Sequence, residues 1–291
     1  MPELPEVEVT RRRIAPLLVG REIRQVRTTA DSYFFLTRPA RLRRGLTGRT
    51  VVALGRRGKY LVADLDGGGR LVVHLGMTGQ LFAAGATSPR LVSAAARAAQ
   101  ANEPQPAFRP DAHTHLRLAF RDPGADVYLR DVRKLGKVLL LAGGEDHPRL
   151  ELLGLDALEV TGAHLFGATR GRTAAIKSVL LDQSVIAGVG NIYADEALFL
   201  AGVRPGRRAG RVTRRECDAI AAAIRRVLVR SIETGGTSIS DYVAPDGSDG
   251  SYQRERQVYA RRGETCARCG ATVKRVVIGQ RGTHFCPGCQ R

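Results

Sequence analysis

Four cysteines near the C-terminus have the spacing of a metal site. Cys266 and Cys269 form one CxxC pair, and Cys286 and Cys289 form a second pair after sixteen intervening residues. Two such pairs are typical of a tetrahedral zinc site in which every ligand is a thiolate. Because all four positions are filled by protein, the single Zn²⁺ is predicted to be structural. The segment between the pairs is predicted to form a hairpin with its turn at 279–282 and Arg281 at its tip.

A second group of reactive side chains stands at the start of the chain, in the sequence MPELPEVE. If Met1 is removed, Pro2 carries a free secondary amine, which can attack a carbonyl-like carbon and form a charged imine. Glu3 and Glu6 could then act as acid or base. Acidic residues also suit an ordinary helix start, where they complement the helix dipole. Residue chemistry alone favours this second interpretation.

Three further segments carry weaker signals. A glycine-rich turn, 188–191, precedes a predicted helix, so its backbone amides could bind a phosphate or simply connect two helices. Lys59 lies in a predicted hairpin turn, and it is one of only five lysines in the chain. His74 ends a predicted strand and leads into a glycine-flanked loop that contains Met77.

The charge balance points to a polyanionic partner. The 291 residues include 46 lysines and arginines against 28 acidic residues, which gives a net charge of +18. Nucleic acid is the first candidate partner and an anionic membrane surface the second. No apolar run has the length of a membrane span, and the first twenty residues contain no signal-peptide core. We therefore expect a cytoplasmic protein with reduced or metal-bound cysteines.

The order of the elements predicts an α+β protein. A helix is expected near Pro5, followed by short β-like runs between residues 22 and 141, as in an antiparallel sandwich or barrel. Residues 83–110 are rich in alanine and proline and are predicted to be an insertion, with a short helix at 91–101. Beyond residue 142 the pattern becomes helical, and its clearest helix starts with a capping box, Thr213–Glu216. Cys217 is predicted to be buried on that helix.

These features divide the chain into four predicted parts. They are an N-terminal helix with an antiparallel β-sandwich (1–141, insertion 83–110), a linker (142–150), a helical domain (151–260) and a zinc β-hairpin (261–291).

Taken together, the motifs resemble one family closely. The matching stretches are MPELPEVE at the start, RGKYL around Lys59, HLGMTG from His74, GVGNIYADE from Gly188, GGTS from Gly235 and the terminal four-cysteine finger. In this order they are similar to the bacterial formamidopyrimidine-DNA glycosylases of the Fpg/Nei superfamily. The start PELPE resembles the formamidopyrimidine branch and not the endonuclease VIII branch.

The resemblance implies a bifunctional DNA glycosylase and AP lyase of base excision repair. Pro2 would attack the sugar C1′ of an oxidised purine nucleotide such as 8-oxoguanine, and Glu3 would assist ring opening and proton transfer. β- and δ-elimination would follow. The partner would be duplex DNA with oxidised bases or abasic sites, and the nucleotide would be flipped out of the helix. The protein would be a monomer, associated with the bacterial nucleoid and not with a membrane.

The resemblance also implies roles for individual residues. Lys59 would contact phosphate near the lesion, and Glu6 would lie near the lesion base. The glycine-rich turn would belong to a helix–two-turn–helix element, and a loop at about 237–252 would cover the flipped base. The phosphates that flank the lesion would be held by His74, Asn191, Tyr193 and Arg281. The space that the flipped nucleotide leaves in the DNA duplex would be filled by Met77, Arg133 and Leu135. Of these, Arg133 would face the orphaned cytosine.

Leu135 departs from the family pattern, which usually has phenylalanine at this position. Leucine can insert apolar bulk between bases, but it cannot stack as an aromatic ring does. Lesion ranking and opposite-base preference therefore stay open. Two alternatives remain: an endonuclease VIII-like preference for oxidised pyrimidines, and a zinc protein that binds lesion DNA without cutting it.

Overall fold

A computed structural model describes residues 2–87, 108, 110–238 and 242–291. The chain separates into two compact units, which are described individually below. The N-terminal unit contains Met1–His147 together with Thr234–Ser251, and the C-terminal unit contains Pro148–Glu233 together with Tyr252–Arg291. Among the described residues, none of the helices is long and apolar enough to cross a membrane.

The N-terminal unit begins with the predicted helix. Helix α1 spans Leu4–Ile14, with Pro5 in its first turn, where a proline costs no hydrogen bond. A single turn of 3-10 helix, Ala15–Leu17, follows it and accommodates Pro16 outside the helix interior. Leu4, Val7 and Ile14 are almost completely buried, so this helix packs into the core along one face.

Two antiparallel four-stranded sheets make up most of the N-terminal unit. The strands are β1 (Ile23–Thr28), β2 (Val51–Arg57), β3 (Tyr60–Leu65), β4 (Arg70–His74), β5 (Gly79–Ala83), β6 (Thr114–Phe120), β7 (Val127–Asp131) and β8 (Lys137–Leu141). One sheet has the order β1-β6-β7-β5 and the other has the order β2-β3-β4-β8. Val26 and Leu129 from the first sheet share a buried cluster with Leu61 and Val73 from the second. The predicted antiparallel sandwich is confirmed.

The region of β-like runs between residues 22 and 141 also contains a helix that was not predicted. Helix α2, Pro39–Leu46, buries Leu42 and Leu46 on one face. The segment Thr234–Ser251 packs with this unit, and Thr237 and Tyr242 hydrogen-bond to Glu6 on α1. The helix predicted at 91–101 lies outside the described residues.

The C-terminal unit is helical, as predicted. Its helices are α3 (Pro148–Glu151), α4 (Gly162–Thr169), α5 (Ile176–Leu181), α6 (Asn191–Leu200) and α7 (Arg214–Glu233), and a short parallel pair joins β9 (Leu155–Asp156) to β10 (Ile186–Ala187). The capping box of α7 is present, since Glu216 N–H donates to Thr213 Oγ1 at 3.3 Å and Thr213 N–H donates to Glu216 Oε2 at 2.8 Å. Cys217 is fully buried on this helix, as expected.

The chain ends in the predicted hairpin. Strand β11 (Lys274–Ile278) pairs with β12 (Arg281–Phe285). The turn contains only Gly279 and Gln280, which both have positive φ, as a tight two-residue hairpin turn requires. It is therefore shorter than the predicted turn at 279–282. Arg281 is the first residue of β12 and is exposed.

Candidate active site and nucleic-acid interface

The N-terminus of α1 gathers the residues that were singled out for covalent chemistry. Pro2 is buried, and Glu3 and Glu6 are only 2% and 1% exposed. Glu3 is the N-cap of α1, and its backbone N–H donates to Glu6 Oε2 at 2.8 Å. The proline and both carboxylates are thus held in one turn of chain that the bulk of the unit shields from water.

Glu6 connects this turn to the segment that follows α7. Its Oε1 accepts a hydrogen bond from Thr237 N–H at 2.8 Å, and its carbonyl accepts one from the Tyr242 hydroxyl at 3.1 Å. Burial raises the pKa of Tyr242, so its hydroxyl stays protonated and able to donate. Gly236 has φ +86, and a Cβ there would lie 3.2 Å from the Glu6 side chain. Glycine is therefore needed for this close approach.

Glu8 connects α1 to the hairpin that carries Lys59. Arg56 on β2 donates through Nε to Glu8 Oε2 at 3.2 Å and through Nη1 to the Gly58 carbonyl at 2.9 Å. Lys59 follows directly and is 8% exposed. Helix α1 therefore holds the lysine-bearing turn through a buried ion pair.

The ion pairs of Glu8 predict a specific pH dependence of stability. Burial alone would raise its pKa, but hydrogen bonds from Arg11 and Arg12 and the charges of Arg11 and Arg56 lower it from 4.5 to about 2. The pKa is lower in the folded state, so the stabilisation is complete above pH 4.5 and is lost as the pH falls towards 2. We expect Glu8→Gln to lower the free energy of unfolding at pH 6 by up to about 3 kcal/mol. Urea unfolding from about pH 6 to 2 measures this difference, which should shrink on acidification; a pH-independent difference would contradict it.

Two loops carry the residues that were predicted to fill the space left in the DNA duplex by the flipped nucleotide. Met77 lies in the β4–β5 loop, whereas Arg133 and Leu135 lie in residues 132–137, which we call the reading loop. Asp131 joins the two loops: its carboxylate accepts from the Thr78 hydroxyl, from Arg133 N–H at 3.2 Å and from Gly136 N–H at 2.7 Å. Arg133 and Leu135 are both exposed at the surface.

The contact between these loops depends on Gly76. Its φ is +63, and an added Cβ would lie 2.5 Å from the Leu135 carbonyl carbon and the Gly136 nitrogen. His74 stands beside it at the end of β4, and its Nδ1 accepts from Gly76 N–H at 3.1 Å. A neutral His74 ring therefore carries its proton on Nε2.

In the C-terminal unit, the glycine-rich turn is tied to the finger. Gln183 accepts from Gly188 N–H at 3.0 Å and donates to the Val189 carbonyl at 2.9 Å, which fixes the turn before α6. Asn191, the first residue of α6, donates through Nδ2 to the Gly282 carbonyl at 3.0 Å. The structure thus brings Asn191 to the strand that begins at Arg281.

Tyr193 differs from the prediction that it contacts a phosphate. It is 0% exposed, its hydroxyl shares a 2.6 Å hydrogen bond with Ser231, and its ring lies 5.6 Å from that of Tyr252. A side chain enclosed in this way cannot reach a phosphate in this conformation. Tyr193 instead packs α6 against α7.

A buried ion pair anchors the finger to the helices. Lys177 on α5 and Asp195 on α6 are both 0% exposed, with 2.7 Å between Nζ and the carboxylate. Lys177 also donates to Thr283 Oγ1 at 2.8 Å, and Asp195 accepts from His284 N–H at 2.8 Å. Both charges are thus satisfied by strand β12 as well as by each other.

Removing one member of this pair should be strongly destabilising, because it leaves an uncompensated buried charge. We expect Lys177→Met to lower the free energy of unfolding of the C-terminal unit by about 3–5 kcal/mol. Urea unfolding provides the measurement. The double variant Lys177→Met/Asp195→Asn, which removes both charges and keeps an acceptor for His284, should lose less; equal losses in the two variants would show that the charge is not the cause.

The four C-terminal cysteines form the compact donor set that was predicted. Their Sγ atoms all lie within 4.8 Å of one another, with 3.3 Å between Cys269 and Cys286 and 3.9 Å between Cys266 and Cys289. Thiolates at about 2.3 Å from a tetrahedral zinc ion are separated by roughly 3.8 Å. The cluster therefore fits Zn²⁺ with only small adjustments.

Models of known families match most of the chain in three consecutive parts. Residues 1–138 match the formamidopyrimidine-DNA glycosylase N-terminal domain, residues 153–243 match the formamidopyrimidine-DNA glycosylase H2TH domain, and residues 263–291 match a zinc finger found in FPG and IleRS. A formamidopyrimidine-DNA glycosylase from Thioalkalivibrio sulfidiphilus is 42% identical over the full length of both chains. The chain belongs to the formamidopyrimidine-DNA glycosylase family.

Other relatives and solved structures agree with the family assignment. A formamidopyrimidine-DNA glycosylase from Xanthomonas campestris is 39% identical, again over both full lengths. The crystal structure of the MutM (Fpg) protein from Thermus thermophilus aligns with a TM-score of 0.83 at 37% identity, covering 99% of this chain and 98% of that one. A Lactococcus lactis Fpg in complex with abasic-site DNA aligns with a TM-score of 0.85 at 33% identity, with complete coverage of both chains. The predicted fold class and the enzyme class, a DNA glycosylase with AP lyase activity, are confirmed.

Sequence reasoning did not identify several residues that organise this glycosylase site. Asp131 and Glu8 are charged residues in ordinary element positions, and only their long-range partners reveal what they hold together. A weak signal existed for Lys177, since lysine is scarce in the chain and this one stands among apolar helix residues.

Proposed function

We propose that this glycosylase removes oxidised purines, such as 8-oxoguanine and formamidopyrimidines, from duplex DNA through a Schiff base on its N-terminal proline. The observation that carries the proposal is the connection of the Pro2–Glu3 turn to the Lys59 hairpin through Glu8 and Arg56. Covalent catalysis on a nucleotide needs an amine, a proton-transfer group and a phosphate-binding cation in one place. The turn that leads into helix α1 supplies the first two, and Glu8 on α1 fixes the third.

The chemistry divides base removal and strand cleavage into successive steps. Once Met1 has been removed, the lone pair of the Pro2 nitrogen attacks C1′, and the damaged base leaves with the electrons of the glycosidic bond and takes up a proton. Glu3 assists by proton transfer during opening of the sugar ring. The resulting iminium ion acidifies C2′, so loss of a C2′ proton expels the 3′ phosphate. A second elimination expels the 5′ phosphate and leaves a one-nucleotide gap.

The remaining site residues would hold the DNA during these steps. His74, Asn191 and Arg281 bind flanking phosphates together with Lys59, while Tyr193 contributes through the position of α6. Met77, Arg133 and Leu135 fill the space left by the flipped nucleotide, with Arg133 facing the orphaned cytosine. Glu6 and the loop 237–252 lie against the lesion base. One structural zinc ion holds the finger, and the enzyme acts as a monomer on nucleoid DNA.

Two independent observations support DNA as the substrate class. The net charge of +18 favours a polyanion. In addition, two solved structures at 33% identity are described as a Lactococcus lactis Fpg mutant in complex with DNA containing Fapy-dG and as Lactococcus lactis Fpg in complex with DNA containing an abasic site. The preference for oxidised purines needs a separate test, because Leu135 replaces the aromatic residue that is usual in the family.

Borohydride trapping tests the proposal. The protein, with Met1 removed, is incubated with duplexes containing 8-oxoguanine opposite cytosine or thymine glycol opposite adenine, and the imine is reduced. We expect a covalent adduct that forms faster on the 8-oxoguanine duplex. Faster trapping on thymine glycol would favour an endonuclease VIII-like preference. Binding to abasic-site DNA without any adduct or cleavage would instead indicate a non-cleaving lesion-binding protein.

A further inference from the structure

An exposed aromatic side chain lies beside the reading loop. Tyr33, in the connection between β1 and α2, is 60% exposed. Its hydroxyl donates to the Arg133 carbonyl at 3.1 Å, and the Lys137 ammonium lies 4.7 Å from the centre of its ring. Single apolar side chains are common at protein surfaces, so what distinguishes this ring is the pair of contacts that it makes with the reading loop.

The segment that carries Tyr33 is itself fixed to the end of the reading loop. Val138 N–H donates to the Phe34 carbonyl at 3.0 Å, and Leu36 N–H donates to the Val138 carbonyl at 2.9 Å. Phe34 is 1% exposed and packs edge-on against Phe35, with 5.0 Å between the ring centres. The backbone that carries Tyr33 is therefore anchored to the protein core.

Tyr33 contacts the reading loop at two points. Its hydroxyl binds the Arg133 carbonyl directly, and its ring faces the Lys137 ammonium, which donates to the Gly136 carbonyl at 2.9 Å. Between these points Lys134 has φ +54, a left-handed conformation that is uncommon for a residue with a side chain. On the inner side Asp131 binds the amides of Arg133 and Gly136. The loop backbone is thus held from both sides.

We propose that Tyr33 is a positioning residue for recognition of the base opposite the lesion. The inference rests on the proposed function, in which Arg133 faces the orphaned base. Leu135 lacks the ring that would stack in the DNA and so help to order the loop. Tyr33 supplies order from the protein side before DNA binds, and this preorganisation fixes the peptide from which the Arg133 side chain extends.

Opposite-base discrimination provides the test. We expect Tyr33→Leu to reduce the ratio of kcat/KM for 8-oxoguanine opposite cytosine to that opposite adenine by about three- to tenfold. Tyr33→Phe keeps the ring under Lys137 but loses the hydrogen bond to Arg133, so its ratio should be intermediate. Cleavage of a preformed abasic site, which needs no base excision, should change less than twofold in both variants. Leu36→Ala, an exposed apolar substitution in the same segment, is the matched control and should leave all rates unchanged.

Each other outcome has a definite meaning. An unchanged ratio in Tyr33→Leu would overturn the inference while leaving the proposed function intact. A parallel fall of all rates together with a lower Tm would show a merely structural role and would also overturn it. Absence of 8-oxoguanine excision by the unmodified enzyme would remove the proposed function, and the inference with it.

Discussion

A Pro2→Gln variant should form no borohydride-trapped adduct and should excise 8-oxoguanine at least about a thousandfold more slowly than the unmodified enzyme. A large second residue keeps Met1 in place, so the free amine moves by one residue, about 3.8 Å along the chain. Pro2 is buried beside Glu3 in a turn fixed by Glu6, and the displaced amine would lack that environment. Denaturing gel electrophoresis of the trapped complex and single-turnover excision rates measure the two effects.

Two further variants distinguish the effect of changing the amine from the effect of disturbing the fold. Pro2→Gly still exposes an α-amine after Met1 removal, but the amine is primary and gives a neutral imine that must first be protonated. We expect this variant to retain weak trapping. Pro5→Ala replaces the other proline of the first turn without touching the amine and should trap normally. An undiminished adduct in Pro2→Gln would show that another group is the nucleophile, and Lys59 would then be the first candidate.

The parts of the fold that local rules determine were predictable from the sequence. The capping box at Thr213, the cysteine pairs and the proline in the first turn of α1 each specify a structure within a few residues. The short β-like runs at 60–65 and 127–130 likewise became strands β3 and β7. Helix α2 was missed because its arginine-rich sequence has only two buried apolar positions beyond its first residue, Leu42 and Leu46, four residues apart.

The long-range contacts of the site could not be predicted by such rules. The bond from Thr237 to Glu6 joins residues 231 positions apart, and no local pattern marks it. Tyr193 is fully buried and shares a hydrogen bond with Ser231 on another helix, which the motif match that assigned it a phosphate contact could not indicate. Motifs identify which residues carry the chemistry, whereas the tertiary structure decides which of them can reach a ligand.

The zinc finger should lose its structure when one cysteine is replaced. Strand β11 is exposed along most of its length, and the buried apolar cluster at the finger takes Cys266, Val273 and Cys286 from the finger itself and Phe199 and Val258 from outside it. Such a hairpin has too little buried surface to be stable alone, and structural zinc binding contributes about 10–16 kcal/mol in isolated fingers. We expect Cys269→Ser to lose its zinc, to become at least about tenfold more susceptible to proteolysis within residues 261–291, and to bind abasic-site duplex at least about tenfold more weakly.

The fifth cysteine provides the matched control for this prediction. Cys217→Ala removes a buried thiol on α7, outside the cluster, so zinc content and protease resistance of the finger should match those of the unmodified enzyme. The loss of DNA affinity in Cys269→Ser has a structural reason. Asn191 binds the hairpin at Gly282, next to Arg281. Unfolding the finger therefore breaks the contact that orients Asn191 and displaces Arg281. If Cys269→Ser kept its zinc and its protease resistance, the four-thiolate site would not be what holds the hairpin, and the buried pair of Lys177 and Asp195 would be its main anchor.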